Sequence, residues 1–255
     1  MRKFNHVYIT GDKHGDFRNL QSVCKELNTT RNDLMIILGD TGINYYGPRE
    51  SKDFFRRQFI ASQPITLLCI RGNHEQRPER YGTYKLVDQD IGDKIYMDEH
   101  FPNIWFAQDG GIYDINDSHY LTIGGAYSID KDYRLARGWM WFPNEQLDSA
   151  EKTTIYQKIM KNGPTFDHIL THTAPLSQEP TWLFLNGIDQ SKVDKSMEEY
   201  LEEIAQTVKA KDWWFGHYHG DDNWTDEQRF YHLVYHSIYE INPENNMSFK
   251  GYWRT

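Results

Sequence analysis

Short apolar runs in this chain repeatedly end in small and polar residues. Val7-Tyr8-Ile9 leads into Thr10-Gly11-Asp12, and Leu34-Met35-Ile36-Ile37-Leu38, apolar at every position, leads into Gly39-Asp40. A third run, Ile65-Thr66-Leu67-Leu68-Cys69-Ile70, ends in Arg71-Gly72-Asn73-His74-Glu75. Runs without alternation read as strands covered on both faces. Helical spacing separates them: an N-cap at Asp16 precedes Phe17, Leu20, Val23, Cys24 and Leu27, and a second helix carries Phe54, Phe55, Phe59 and Ile60. This alternation predicts an open α/β sheet, in which ligands bind beyond the C-terminal ends of the strands.

The middle of the chain has a different texture. Residues 76–93 show no clean period and read as a loop-rich excursion. Runs at 104–106, 112–115 and 120–123 read as an antiparallel meander with turns at Gly110-Gly111 and Asn116-Asp117. A loop follows to Trp141, and Pro143-Asn144-Glu145 opens a helix that Asn162-Gly163-Pro164 stops. The strand at 166–170 ends in Thr171-His172. A helix after Ser191, with Ser191 and Asp194 as a capping-box-like start, carries Val193, Met197, Leu201, Ile204 and Val208. Trp213-Trp214-Phe215 ends in Gly216-His217-Tyr218-His219, and segments 229–234 and 236–241 read as an edge hairpin.

Composition narrows the class. The 255 residues suit one large domain spanning 1–255. With 28 Lys and Arg against 37 Asp and Glu the net charge is −9, which opposes extended coating of nucleic acid or anionic membrane. No stretch approaches the roughly 18 apolar residues of a membrane span. Cys24 and Cys69 lie in apolar patterns and read as buried thiols, too few for a disulfide framework. The start runs straight into a strand pattern, so a cytoplasmic protein without a leader is expected.

Collected together, the polar strand ends are Asp12 and His14, Asp40, Asn73 and His74, His172, then His217 and His219. Carboxylate, imidazole and amide oxygen suit borderline metals such as manganese, iron or zinc. Residues two apart on an extended segment share a face, so Asp12 and His14, or His217 and His219, can bite on one site. Singly each is ordinary: Asp40 between glycines reads as a turn residue and His172 as a hydrogen-bonded histidine. His6, His100, His119, His168, His232 and His236 match no block and receive no role.

The ordered blocks Gly11-Asp12-Lys13-His14-Gly15, Leu38-Gly39-Asp40, Arg71-Gly72-Asn73-His74-Glu75, Leu170-Thr171-His172 and Gly216-His217-Tyr218-His219 resemble the calcineurin-like metallophosphoesterase superfamily. The segment from Gly124 to Lys131 is similar to one in uncharacterised bacterial and phage members. The resemblance implies a four-layer αββα sandwich of two mixed β-sheets, an α/β (α+β) fold, with the excursion at about 76–141 walling the cleft. It also implies two divalent or trivalent ions (Mn, Fe or Zn), with Asp12, His14 and His219 on one, Asn73, His172 and His217 on the other, and Asp40 bridging. Cations roughly 3.5–4 Å apart hold phosphoryl oxygens and lower the pKa of a water for in-line attack. His74 would protonate the leaving alkoxide.

One departure bears on substrate. The Arg71 to Glu75 block is identical to that of the phosphoprotein phosphatase branch, which follows its bridging Asp with Val-Asp-Arg-Gly; here Thr41-Gly42-Ile43-Asn44 follows. The Asp that orients the acid and the Arg that grips phosphate are therefore missing from that place. Glu75 points away from His74 in an extended segment, and Arg71, Arg134 or Arg137 are the candidate replacements for the grip. The candidate substrate contacts are Lys13, Arg71, Tyr127, Lys131 and Arg134, with Tyr45 and Tyr46 either at the leaving group or packed on the neighbouring helix. The expected activity is hydrolysis of a small phosphomonoester, phosphodiester or nucleotide, with no membrane partner. The alternatives are a serine/threonine phosphoprotein phosphatase and a non-catalytic protein-binding scaffold, the main use of the retromer subunit of this fold. Two cations would make a locally positive pocket on an acidic body.

Overall fold

The computed structural model describes residues 1–48, 50–242 and 247–253. The three apolar runs form β1 (Val7–Thr10), β2 (Leu34–Ile37) and β3 (Thr66–Cys69), parallel neighbours with every residue buried. They are linked by α1 (Leu20–Glu26) and α2 (Ser51–Ser62). The first helix starts later than its sequence suggests. Asp16 closes a turn instead, its amide donating to the Lys13 carbonyl and its carboxylate accepting the Arg18 amide. On α2 the core-facing positions are Asp53, Arg57 and Ile60, while Phe54, Phe55 and Phe59 are exposed. Arg57 is stable there because Asp98 lies 3.1 Å away and the rings of Tyr81 and Phe101 cover its guanidinium.

The expected excursion divides between two sheets. After α3 (Pro78–Tyr81), strands β4 (Lys85–Val87), β5 (Ile95–Met97) and β6 (Ile104–Phe106) extend the first sheet from β3. β6 is parallel to β3 and antiparallel to β5, so it does not join 112–115 and 120–123 in the expected meander; its three residues are all buried, as a strand between covered faces requires. β7 (Gly111–Ile115) and β8 (Ser118–Ile123) form a hairpin in the second sheet, with Asn116 and Asp117 both at positive φ as a type I′ turn needs. Beyond α4 (Lys131–Ala136), α5 (Ser149–Asn162) begins after Asp148, whose side chain makes a reciprocal capping box with Glu151. Then come β9 (Thr165–Thr171), α6 (Ser196–Thr207) and β10 (Lys209–Phe215). Ser191 sits in a 3-10 turn at Gln190–Lys192 capped by Asp189, so α6 starts five residues beyond it.

The expected tail hairpin is instead a crossing between sheets. β11 (Asp222–Thr225) and β12 (Phe230–Leu233) close the second sheet, while β13 (Ser237–Ile241) and β14 (Met247–Tyr252) close the first against β1. Asp221 fastens the crossing by accepting the amides of Tyr235, His236 and Ser237. The result is an eight-stranded and a six-stranded mixed sheet. Alternate residues of each strand face opposite layers: Ile9, Ile36 and Leu68 meet Tyr120, Leu170 and Trp214 between the sheets, while Tyr8, Met35 and Leu67 pack under α1 and α2. Leu121, Ile169 and Trp213 pack under α5 and α6, which completes four layers. Cys24 and Cys69 are buried free thiols. Among the described residues no helix is long and apolar enough to cross a membrane.

Two of the unassigned histidines serve this second sheet. His168 and His232 flank Asp212, with nitrogens 3.3 and 2.9 Å from its oxygens. Burial alone would raise that carboxyl, but the two imidazole contacts hold it down at about 2. A depressed carboxyl stabilises the fold above its unfolded pKa of about 4 and loses that contribution as pH falls through about 2. Replacing Asp212 by Ala is therefore expected to cost about 2 kcal/mol near neutral pH. Urea melts of both proteins at descending pH check this, and a stability difference that stays constant down to pH ~2 would contradict it.

Candidate metal centre

The loops after β1, β2, β3, β9 and β10 meet at one edge of the sandwich. Backbone bonds tie the first two together: the amides of Lys13 and His14 donate to the Asp40 carbonyl, and the Gly15 amide donates to Thr41. The carboxylates are held in turn. Asp12 accepts the His217 amide at both oxygens (3.2 and 3.1 Å), and Asp40 Oδ1 accepts the His74 amide at 2.8 Å. Glycines make this approach possible, since a Cβ at Gly216 would overlap Asp12 Oδ1 and one at Gly72 would overlap Asp40 Oδ1. His14, Asp40, His217 and His219 all adopt positive φ, between 45° and 66°. Non-glycine residues in that region store strain, and they cluster where function fixes the backbone.

Ligand atoms of Asp12, His14 and His219 lie within 4.8 Å of one another, as do those of Asp12, Asp40 and His172. The Nε2 atoms of His14 and His219 are 2.8 Å apart. His172 donates from Nδ1 to the Leu38 carbonyl, which turns Nε2 inward, 2.8 Å from Asn73 Oδ1 and 3.5 Å from Asp40 Oδ2. Asn73 is oriented from behind: its Nδ2 donates to Ser128 Oγ, and Ser128 in turn donates to Glu145. His217 stands with its ring centre 5.0 Å from that of His172.

Electrostatics sharpen the picture. Burial opposes charge on Asp40, yet His172 and His74 hold its carboxyl well below the usual range. Burial also opposes a proton on His172, but Asp40 and Asp12 push it up to about 9. His217 is driven the other way by burial, down to about 3, so it is a neutral imidazole with a free lone pair. No Lys or Arg reaches the two buried carboxylates among the described ion pairs. Two buried anions facing imidazole nitrogens and an amide oxygen, with no Lys or Arg to neutralise them and a proton drawn onto His172 in their place, are a donor set that fits a pair of metal ions.

His74 stands at the mouth. It is also within 4.8 Å of His14 and Asp40 in ligand-atom terms, and its Nε2 is 3.6 Å from Asp130. Asp130 thus supplies the carboxylate beside His74 that the segment after Asp40 lacks. Glu75 does not: it accepts from the Gly72 amide and the Thr41 hydroxyl, bracing the loop behind Asp40.

Two candidate substrate contacts are corrected. Lys13 is buried, donates to the Tyr235 carbonyl at 3.0 Å and lies over the Trp253 ring, so its ammonium is engaged within the fold. Arg71 is consumed by Asp109 and by the carbonyls of Glu145 and Gly124. The Gly124-Gly125 pair serves that packing, since a Cβ at either would strike Arg71. Lys131 lies over the Trp141 ring, on a separate hollow that Tyr127 also lines. Arg134 does approach: it donates to Tyr45 Oη, lies 3.8 Å from Asp130 and lines a recess of about 530 Å³ with His74, Tyr46, Arg56 and Trp139.

A second recess, about 290 Å³, opens from Asp40, Asn73 and His74 toward Tyr127, Phe184, Tyr218 and Glu198. Its outer wall is the segment 181–193. Sequence reasoning did not single out Asp130, Arg56, Glu198 or that wall. Asp130 lies within the Gly124 to Lys131 segment, which marks no role for it; Glu198 carries no motif, Arg56 sits on a helix read by its phenylalanines, and 181–193 has no period.

The profile of the calcineurin-like phosphoesterase family matches residues 6–221. No curated protein matches the chain. Among solved structures, TT1561 of Thermus thermophilus is similar at TM-score 0.54 and 10% identity, over 99% of this chain and 100% of that one. GAP50, the anchor in the inner membrane complex of Plasmodium, is similar at TM-score 0.53 and 9% identity, over 96% and 83%. At these identities the likeness is one of fold.

Proposed function

This chain belongs to the calcineurin-like phosphoesterase family, and from that premise we propose that it hydrolyses the phosphoester of a small alcohol or nucleotide at the centre just described. The observation that carries the reading is the convergence of oxygen and nitrogen donors from five strand ends around two buried carboxylates, with His74 beside them. Asp12, His14 and His219 would hold one cation, Asn73, His172 and His217 the other, and Asp40 both. When bound, such a pair supplies positive charge to the phosphoryl oxygens and lowers the pKa of a water that attacks in line.

The residues do the rest. His74 reaches the cleft from a backbone fixed by Asp40 and is the group positioned to give a proton to the departing alkoxide. Asp130 keeps the imidazole turned toward that task. Arg56, in the recess on the far side of His74, offers guanidinium charge to phosphoryl oxygens not engaged elsewhere, while Arg134, buried and bonded to the Met140 carbonyl and Tyr45, lines the same recess. The phosphoprotein phosphatase alternative has less support, because Asn44 is buried and its Oδ1 accepts from Tyr84.

The test is direct. Protein stripped with a chelator and reloaded separately with manganese, iron or zinc is assayed on para-nitrophenyl phosphate and bis-para-nitrophenyl phosphate. Turnover is expected to rise at least about a hundredfold on reloading with one of them. No turnover of either ester with any of the three metals would sink the catalytic reading and favour a scaffold.

A further inference from the structure

We propose that the recess of about 290 Å³ beside the centre seats the alcohol part of the substrate, and that this part is an uncharged group with an apolar body and an N–H donor directed at Glu198. The proposal rests on the phosphoesterase reading for the word substrate, but its physical basis is separate.

The recess begins at Asn73, His74 and His217, so a group held in it projects from a phosphorus at the centre on the side where His74 can protonate the departing oxygen. Ile129, Leu183, Phe184, Val193 and Tyr218 give it apolar walls. The outer wall is fastened: Lys195 pairs with Glu179 at 2.5 Å, Trp224 donates to Gln178, and Phe184 stacks on Tyr218. It is built as a binding surface and is not merely a gap between loops.

Glu198 is the feature that specifies the ligand. It lies on α6, only 4% exposed, and lines the recess. Its Oε1 accepts from the Thr173 hydroxyl at 2.8 Å, whereas Oε2 has no hydrogen-bond partner among the described residues. Burial raises this carboxyl to about 7, the signature of an anion denied water and given too few donors. Neighbouring groups cannot repair it. The Tyr218 hydroxyl is engaged with Thr173 and Glu179, and Lys195 is held by Glu179. Oε2 is closed off from solvent as well as unpartnered; a turn of the Glu198 carboxyl toward the recess it lines brings that oxygen to a ligand N–H, and an apolar body covers the walls. A second phosphate or a carboxylate would meet Glu198 and Glu179 with only the already paired Lys195 to offset them.

The experiment uses the metal-loaded full chain and (4-aminophenyl)alkyl phosphates with one, two or three methylenes, each against its 4-methylphenyl isostere. At one length the amine is expected to exceed the methyl compound at least tenfold in kcat/KM. Glu198→Gln, which presents an N–H where the carboxylate presents an acceptor, is expected to bring that ratio below twofold or invert it. Leu183→Arg, at a position more than a third exposed and so tolerant for folding, is expected to raise KM for both aryl series at least fivefold relative to methyl phosphate. Equal turnover of amine and methyl compounds at every length, or a preference that survives Glu198→Gln, overturns the proposal.

Calorimetric titration of the same alcohols, without phosphate, into metal-free protein separates the two readings. Amine-selective binding that depends on Glu198, without ester hydrolysis, keeps the recess and removes the phosphoesterase. Hydrolysis of para-nitrophenyl phosphate without any amine preference keeps the phosphoesterase and removes the recess.

Discussion

Asp40→Asn is expected to lower kcat/KM for phosphoester hydrolysis about a thousandfold, or roughly 4 kcal/mol of transition-state stabilisation. It is also expected to reduce bound metal from about two ions per chain to one or fewer. The substitution is nearly isosteric, so the backbone feature it supports is expected to survive: an amide oxygen can accept the His74 amide as Asp40 Oδ1 does at 2.8 Å in the parent. What changes is Oδ2, which faces His172 Nε2 at 3.5 Å and His14 Nδ1 at 3.9 Å, one residue from each triplet of donors. A neutral amide there, with N–H hydrogens pointed at the same space, removes the anionic oxygen that two cations would share and adds repulsion. Elemental analysis of the purified variant, beside steady-state kinetics and circular dichroism, measures all of this. Two ions retained with undiminished turnover would show that Asp40 is not a shared ligand.

The parts of the molecule that were legible in the sequence are those where one residue's environment sets its type. Leu34 to Leu38 is apolar throughout because both faces of β2 are covered, and the chemistry follows at its end because the next residues leave the sheet. The clustering of Asp12, His14 and Asp40 follows from the parallel neighbours β1 and β2 ending at one edge, and His172 joins them from the end of β9 in the facing sheet. Other features depend on partners far away in sequence. Lys13 shares its block with two candidate ligands, but only the contact with Tyr235 and Trp253 decides where its ammonium goes. Arg71 has the chemistry of a phosphate grip and spends it on Asp109 and two carbonyls. Segments 229–234 and 236–241 alternate like a hairpin, and it is Asp221 binding three amides that sends them to different sheets. Asp130 stands in the Gly124 to Lys131 segment, but its place beside His74 has no sequence signal, because the loop that carries it approaches His74 only once both sheets are assembled.

His74→Asn is expected to reduce kcat for alkyl phosphates by about a hundredfold to ten-thousandfold while leaving the metal content near that of the parent. The geometry makes this informative, since His74 lies close enough to His14 and Asp40 to be counted with the ligands and also faces the cleft beside Asp130. Loss of a ligand and loss of a proton donor lower activity in different ways. A missing ligand depresses turnover of every ester and empties the centre, as with Asp40→Asn. A missing general acid matters in proportion to the basicity of the departing oxygen: an alkoxide needs the proton, whereas para-nitrophenolate leaves largely without it. The ratio of parent to variant kcat is therefore expected to be large for an alkyl ester and to shrink to about tenfold or less for para-nitrophenyl phosphate. Asp130→Asn, which leaves the imidazole in place but removes the carboxylate 3.6 Å from it, is expected to show the same leaving-group dependence with a smaller loss. A series of aryl and alkyl phosphates plotted against leaving-group pKa reads this as a steeper negative slope in both variants. An unchanged slope together with lost metal would instead make His74 a ligand, and the proton for the alkoxide would then have to come from elsewhere in the cleft.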